Sequence, residues 1–73
     1  MYDYSKLSGR IVEICGTRHN FAKAMNLSER TISLKLCGKI EFKQREIELV
    51  CRVLKIRKNE IVDYFFTTNV QSN

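Results

Sequence analysis

The fold is set by residues 17–38, which read TRHNFAKAMNLSERTISLKLCG. Phe21, Ala22 and Met25 stand at i, i+1 and i+4, a spacing that places them on one apolar face of a short helix. Thr17 precedes this helix and can cap it, because its side-chain oxygen can accept a hydrogen bond from a free amide of the first turn. The first half of the stretch is therefore predicted to be a short helix that ends near Met25.

The second half of the stretch is predicted to be another short helix, reached through a tight turn. Asn26 comes after the first helix, and asparagine tolerates the left-handed backbone that such a turn requires. Ser28 can cap the next helix, while Leu27 before the cap can pack against Ile32 four residues into it. Gly38 is expected to end this helix.

Two short helices joined by a turn of about three to four residues form a helix–turn–helix arrangement. Ala22, Asn26 and Ile32 stand at the spacing of the phage repressor and Cro family, and residues 28–37 resemble its recognition helix. The N-terminal MYDYSKLSGRIVE and the C-terminal EIVDYFF resemble small regulators encoded by temperate phages of Gram-positive bacteria. The resemblance extends over residues 4 to about 66 and implies a compact four- to five-helix bundle, like the DNA-binding domains of those repressors.

Composition favours one all-α domain over residues 1–73, with an ordered core at about 4–66 and a frayed polar tail at 67–73. The chain contains no proline and three glycines, which suits helices. No apolar run approaches the ~20 residues of a membrane span, and the N-terminus lacks a signal-peptide core. We therefore expect a protein of the host bacterial cytoplasm. The net charge of +5 suits a polyanionic partner but is equally common in proteins without one.

Three further helices are predicted at about residues 4–15, 43–54 and 58–66. The core faces of the first two are expected to carry Leu7, Ile11, Ile14 and Cys15, and Ile47, Val50, Cys51 and Leu54. The last one contains more large apolar groups than one face of so short a helix can hold. Tyr64, Phe65 and Phe66 are therefore candidates for a contact between two copies of the chain.

Lys35 departs from the family pattern, because it occupies a position where the repressor and Cro family usually buries Leu or Ile. Two arrangements are open. The stem of Lys35 can lie over the core while its amine reaches water, or the neighbouring Leu36 can take the core position instead. The rotation of the recognition helix about its axis depends on which arrangement forms.

The resemblance to a recognition helix divides the surface residues into two groups. Because Ile32 points inward, the residues expected to face base edges in the major groove are Glu29, Arg30, Ser33 and Leu34. Arg30 is the strongest candidate, since its guanidinium matches the two acceptors of guanine, a contact worth roughly 1–3 kcal/mol of discrimination. The residues expected to contact phosphates are Arg18, Ser28, Lys35, Lys39 and Lys43.

Two functions are consistent with these residues. The first is a regulator that binds double-stranded operator DNA as a dimer through residues 28–37 and controls the choice between lysis and lysogeny. The alternative is an antirepressor or modulator that binds the phage repressor protein and blocks its DNA-binding face. Glu29 distinguishes them, because a carboxylate opposes phosphates but attracts the basic groups of a repressor, and Leu34 could enter an apolar pocket. A third possibility is that the helix–turn–helix is only a scaffold.

Catalysis and metal binding find no support in the sequence. The chain has one histidine, His19, and its three cysteines lack zinc-site spacing. There is no nucleophile with a base at a recognisable spacing and no phosphate loop. We therefore expect no enzyme activity, cofactor, metal or small-molecule substrate. Cys15 and Cys51 are expected in the core, and Cys37 at the end of the recognition helix is expected to be partly exposed.

Overall fold

The computed structural model describes residues 2–68, and all of its regular secondary structure is helical. Its helices are α1 (Ser5–Cys15), α2 (Arg18–Met25), α3 (Glu29–Leu36), α4 (Gln44–Leu54), a 3₁₀ helix (Lys58–Glu60) and α5 (Ile61–Phe65). The predicted all-α class is therefore confirmed. None of the helices within residues 2–68 is long and apolar enough to cross a membrane.

Local signals fix the ends of α2 and α3 as predicted. Thr17 and Ser28 each accept a hydrogen bond from the backbone N–H three residues later, at 3.1 Å in both cases. Asn26 adopts the left-handed conformation at φ 57°, and Gly38 follows α3 at φ 82°. These residues set the tight turn between the two helices and the end of the second.

All five α-helices contribute side chains to one core. The buried apolar residues are Leu7, Ile11, Phe21, Ala22, Met25, Ile32, Val50, Leu54, Ile56, Tyr64 and Phe65. The prediction that Ile14 is buried is wrong, since its side chain is 38% exposed. Leu7, Ile11 and the half-buried Cys15 form a row at intervals of four residues, and Ile14 lies to one side of this row.

The two ends of the described chain lie against each other. The Asp3 N–H donates to the Thr67 carbonyl at 2.7 Å, and Tyr2 and Thr68 form an isolated antiparallel bridge. Fraying was predicted from Thr67 onward, but Thr67 and Thr68 are held by these contacts instead. The rest of the predicted tail, residues 69–73, lies outside the described residues.

The two ends of α4 contact different helices. At its C-terminal end, the Arg10 guanidinium of α1 donates to the Leu54 carbonyl at 3.0 Å. In its first turn, the Glu46 carboxylate meets the Lys35 ammonium of α3 at 2.7 Å. Helix α4 therefore supports α3 from one end and α1 from the other.

Candidate interaction surface on α3

Helix α3 has one buried side and one side directed away from the core. Ile32 is fully buried, whereas Glu29 and Arg30 are exposed. Ser33 and Leu34 are half-buried, so they offer less surface than the first turn of the helix does. The exposed surface of α3 is thus concentrated near its N-terminus, where the two side chains carry opposite charges.

The first turn of α2 belongs to the same surface. The His19 Nδ1 atom lies 3.0 Å from a Glu29 carboxylate oxygen, and both side chains are exposed. Arg18 donates from Nη1 to the Ser33 hydroxyl at 3.4 Å. The sequence analysis gave His19 no binding role, and its contact with Glu29 becomes visible only when the two helices are packed together.

The prediction that Lys35 contacts phosphate is wrong, because this residue is 2% exposed. Its ammonium lies 2.7 Å from the Glu46 carboxylate and donates to the Glu41 carbonyl at 3.0 Å. Neither of the two arrangements expected from the sequence forms, since the amine does not reach water and Leu36 does not replace it in the core. A lysine can occupy this core position because α4 supplies a counter-charge.

Glu46 is the residue of this region that sequence reasoning missed. Its carboxylate accepts a second hydrogen bond, from the Lys43 N–H, at 2.8 Å. Burial opposes ionisation of the carboxyl group, but the bonds from Lys35 and Lys43 outweigh this cost and lower the pKa of Glu46. The available signal was an acidic residue in the first turn of the next helix together with a lysine at an apolar position.

The other predicted phosphate contacts, Arg18, Ser28, Lys39 and Lys43, are all exposed. Arg18 begins α2, Ser28 caps α3, and the two lysines lie in the segment between α3 and α4. Together with Glu29 and Arg30 they give α3 surroundings of mixed charge. Such a surface suits a charged macromolecular partner through complementary pairs.

Two of the three residues proposed for a contact between copies belong to the core instead. Tyr64 is 9% exposed and Phe65 is 2% exposed, so neither can meet a second copy without opening the fold. Phe66 is 46% exposed and packs edge-to-face on Tyr2, with ring centroids 5.6 Å apart. Helix α5 has only five residues, with apolar groups on several sides. Tyr64 and Phe65 pack in the core, whereas Phe66, which follows the helix, lies at the surface.

The cysteines differ in exposure. Within residues 2–68, no group of three or more His, Cys, Asp or Glu side chains is placed to hold a metal ion, and all three cysteines are free. Cys15 and Cys51 are half-buried, and burial raises the pKa of both thiols. Cys37 is exposed directly after α3.

We expect Cys37 to react first with a thiol reagent, because access and thiolate content together set the rate. Peptide mass mapping after a short exposure to iodoacetamide at pH 8 should find the label on Cys37, and the Cys37→Ser variant should lose the fast reaction. A fast reaction that persists in this variant would mean that the half-buried Cys15 and Cys51 are accessible to the reagent.

Comparison with known proteins identifies a matching family and a similar solved structure. The family model described as "Protein of unknown function (DUF739)" matches residues 1–68. The chain is also similar to the solution structure of the modulator of repression (MOR) of the temperate bacteriophage TP901-1 from Lactococcus lactis, at 51% sequence identity and a TM-score of 0.80. This match covers 96% of the present chain and 95% of the other. None of the curated proteins matches the chain. The matches support the resemblance to small phage regulators but not the resemblance to the repressor and Cro family.

Proposed function

The chain belongs to the DUF739 family, and we propose that it is a phage modulator of repression that binds the phage repressor protein and blocks its DNA-binding face. The observation that carries this proposal is the similarity to a modulator of repression over nearly the whole length of both chains. Such a protein would act on the choice between lysis and lysogeny without reading DNA itself. Operator binding, the first function inferred from the sequence, receives no comparable support.

The contact surface in this proposal is the outward side of α3 with the first turn of α2. The DNA-binding face of a repressor is basic, because it neutralises phosphates. The exposed Glu29 carboxylate is attracted to such a face and would be repelled by DNA itself. Burial of Lys35 removes one of the cations that direct DNA binding would use. Both features favour a protein partner.

The proposal is tested with the repressor of the phage that encodes this chain and a fluorescent copy of that repressor's operator DNA. The repressor is first bound to the labelled operator, and the modulator is then titrated while fluorescence anisotropy is recorded. We expect anisotropy to fall as the repressor leaves the DNA. The affinity of the two proteins for each other is measured separately by isothermal titration calorimetry.

Reversing the charge of Glu29 tests whether the outward side of α3 contacts the repressor. Glu29→Arg should weaken repressor binding by about tenfold or more, since an attractive pair across the interface becomes repulsive. Glu48→Arg is the matched control, because Glu48 is also exposed but lies on α4, and it makes the same change in net charge. Equal losses from both variants would mean that overall charge, and not the α3 surface, determines binding.

Direct operator binding predicts a different result in the same experiment. The chain alone would then bind the operator tightly at nanomolar concentration, more weakly at higher salt, and Arg30→Ala would abolish this binding. That outcome, with no binding to the repressor, would reject the modulator proposal.

A further inference from the structure

We propose that Lys35 and Glu46 are positioning residues that select one rotation of α3 and so determine which of its side chains meet the partner. This inference rests on the proposed function in one respect, namely that α3 is the contact surface. The pair itself lies beneath that surface and would not touch the partner. It acts through the orientation of the helix that carries Glu29 and Arg30.

The ion pair joins three segments of the chain at one point. The Lys35 ammonium bonds to the Glu46 carboxylate at 2.7 Å and to the Glu41 carbonyl at 3.0 Å, and it lies 5.7 Å from the centre of the Phe42 ring. The same carboxylate accepts the Lys43 N–H at 2.8 Å. These contacts connect α3, the segment that follows it and the first turn of α4. The Lys35 side chain is 3% exposed, so little solvent competes for it.

Helix α3 depends on this pair for its orientation because it has so few buried residues. Ile32 and Lys35 are its two buried positions. Ile32 is the one fully buried apolar residue of α3, and Leu36 packs only at the edge of the core. These two apolar contacts hold a short helix weakly against rotation about its axis, so a further fixed point is needed. The bonds of the ammonium group require particular directions, whereas apolar contacts tolerate several arrangements. Lys35, the polar one of these two buried residues, therefore specifies the rotation of α3.

A competing rotation is available in the sequence. Leu36 is apolar, adjacent to Lys35 and only half-buried. Turning α3 by about 100°, the angle per residue, would bury Leu36 instead and carry the outward side chains away from their observed places. This turn would leave the Glu46 carboxylate without the ammonium. An ion pair excludes the competing rotation more strongly than an apolar residue at position 35 could.

Stability alone does not account for the pair. Removing two charges from water is costly, and apolar replacement of both members of a buried pair often leaves a protein equally or more stable. A pair that stabilised α3 only by filling space would be replaceable without effect on binding. A pair that selects a rotation could not be replaced without weakening the binding of the partner.

The test is the double variant Lys35→Met, Glu46→Met, studied as the complete chain. Thermal unfolding followed by circular dichroism should give a Tm close to that of the wild type, because methionine removes the cost of burying two charges while α4 loses the bond from the Lys43 N–H. In ¹⁵N-labelled protein, the amide signals of residues 29–36 should shift or broaden, while those of α1 stay in place. Affinity for the repressor should fall by about tenfold or more. Adding Leu36→Ala removes the competing side chain and should recover the wild-type signals of α3.

Ile11→Val serves as the control for lost stability. Ile11 is buried in α1, so this variant should lower the Tm while it preserves the α3 signals and the affinity. The proposal is overturned if the double variant keeps both the α3 spectrum and the wild-type affinity. It is also overturned if the double variant does not fold, because the pair is then required for stability. If the wild-type chain does not bind the repressor, the proposed function fails while the amide signals still decide the positioning role.

Discussion

Replacing Phe65 with alanine is expected to lower the free energy of unfolding by about 3–5 kcal/mol. Phe65 is 2% exposed and packs edge-to-face on Phe42, with ring centroids 5.4 Å apart. Removing the ring would leave a cavity that a closely packed core cannot fill. Since a domain of this size is stable by only about 5 kcal/mol, this variant should retain at most about 2 kcal/mol of stability. Urea unfolding followed by circular dichroism measures the loss.

Phe66→Ala is the matched control for Phe65→Ala, because Phe66 is the next residue and is 46% exposed. Its loss should remain below about 1 kcal/mol, since nearly half of its surface stays in contact with water in the folded protein and no buried cavity is created. If Phe65→Ala instead kept its stability and changed the concentration dependence of the elution volume in gel filtration, Phe65 would be a contact between copies, as the sequence alone suggested.

The single variant Lys35→Met is expected to lose about 3 kcal/mol of stability, the lower end of the range for breaking a buried ion pair. The loss arises because the Glu46 carboxylate, which is 16% exposed, loses its counter-charge and keeps only the Lys43 N–H. Urea unfolding at pH 7 measures it.

The control for Lys35→Met is Lys39→Met, at an exposed lysine just after α3, which should stay within about 0.5 kcal/mol of the wild type. Lowering the pH should reduce the difference between Lys35→Met and the wild type. The pKa of Glu46 is depressed in the folded wild type, so its contribution is present above the ordinary glutamate range and is lost as the pH falls through the depressed value. A loss as small as that of Lys39→Met would show that Lys35 does not interact strongly with Glu46.

The ends of α2 and α3 could be predicted from the sequence because the signals that set them act locally. Thr17 and Ser28 each bond to a backbone amide three residues away, and Asn26 needs only its own backbone freedom to form the turn. None of these effects depends on what packs against the helices. Local signals of this kind can be recognised in one sequence.

The burial of Lys35 could not be predicted in the same way. A lysine between two leucines suggests either a solvated amine or a shifted helix, and both expectations consider α3 alone. The deciding group, the Glu46 carboxylate, lies on another helix, and its distance from Lys35 depends on how α3 and α4 pack. The burial of Phe65 could not be predicted for a similar reason, because its ring packs against Phe42, which lies in the segment before α4.

The sequence predicted which residues of the candidate surface are exposed, but not whether this surface binds DNA or protein. Glu29 and Arg30 are exposed as expected from the inward position of Ile32. Their role in binding stays a prediction, since a short helix that follows a tight turn can be presented to DNA or to protein with the same backbone geometry. The charge of Glu29 pointed toward protein, and the similarity to a modulator of repression favours that interpretation.

The hydrogen bond from the Asp3 N–H to the Thr67 carbonyl also bears on the order in which the chain folds. Contacts between α2 and α3 join residues that are close in sequence, so they form at a small cost in chain entropy. The bond between Asp3 and Thr67 closes a loop that contains all five α-helices, and such a closure is slower and costs more entropy. We therefore expect the α2–α3 pair to form early in folding, and the contact between the two ends of the described chain, including that between Tyr2 and Phe66, to form late.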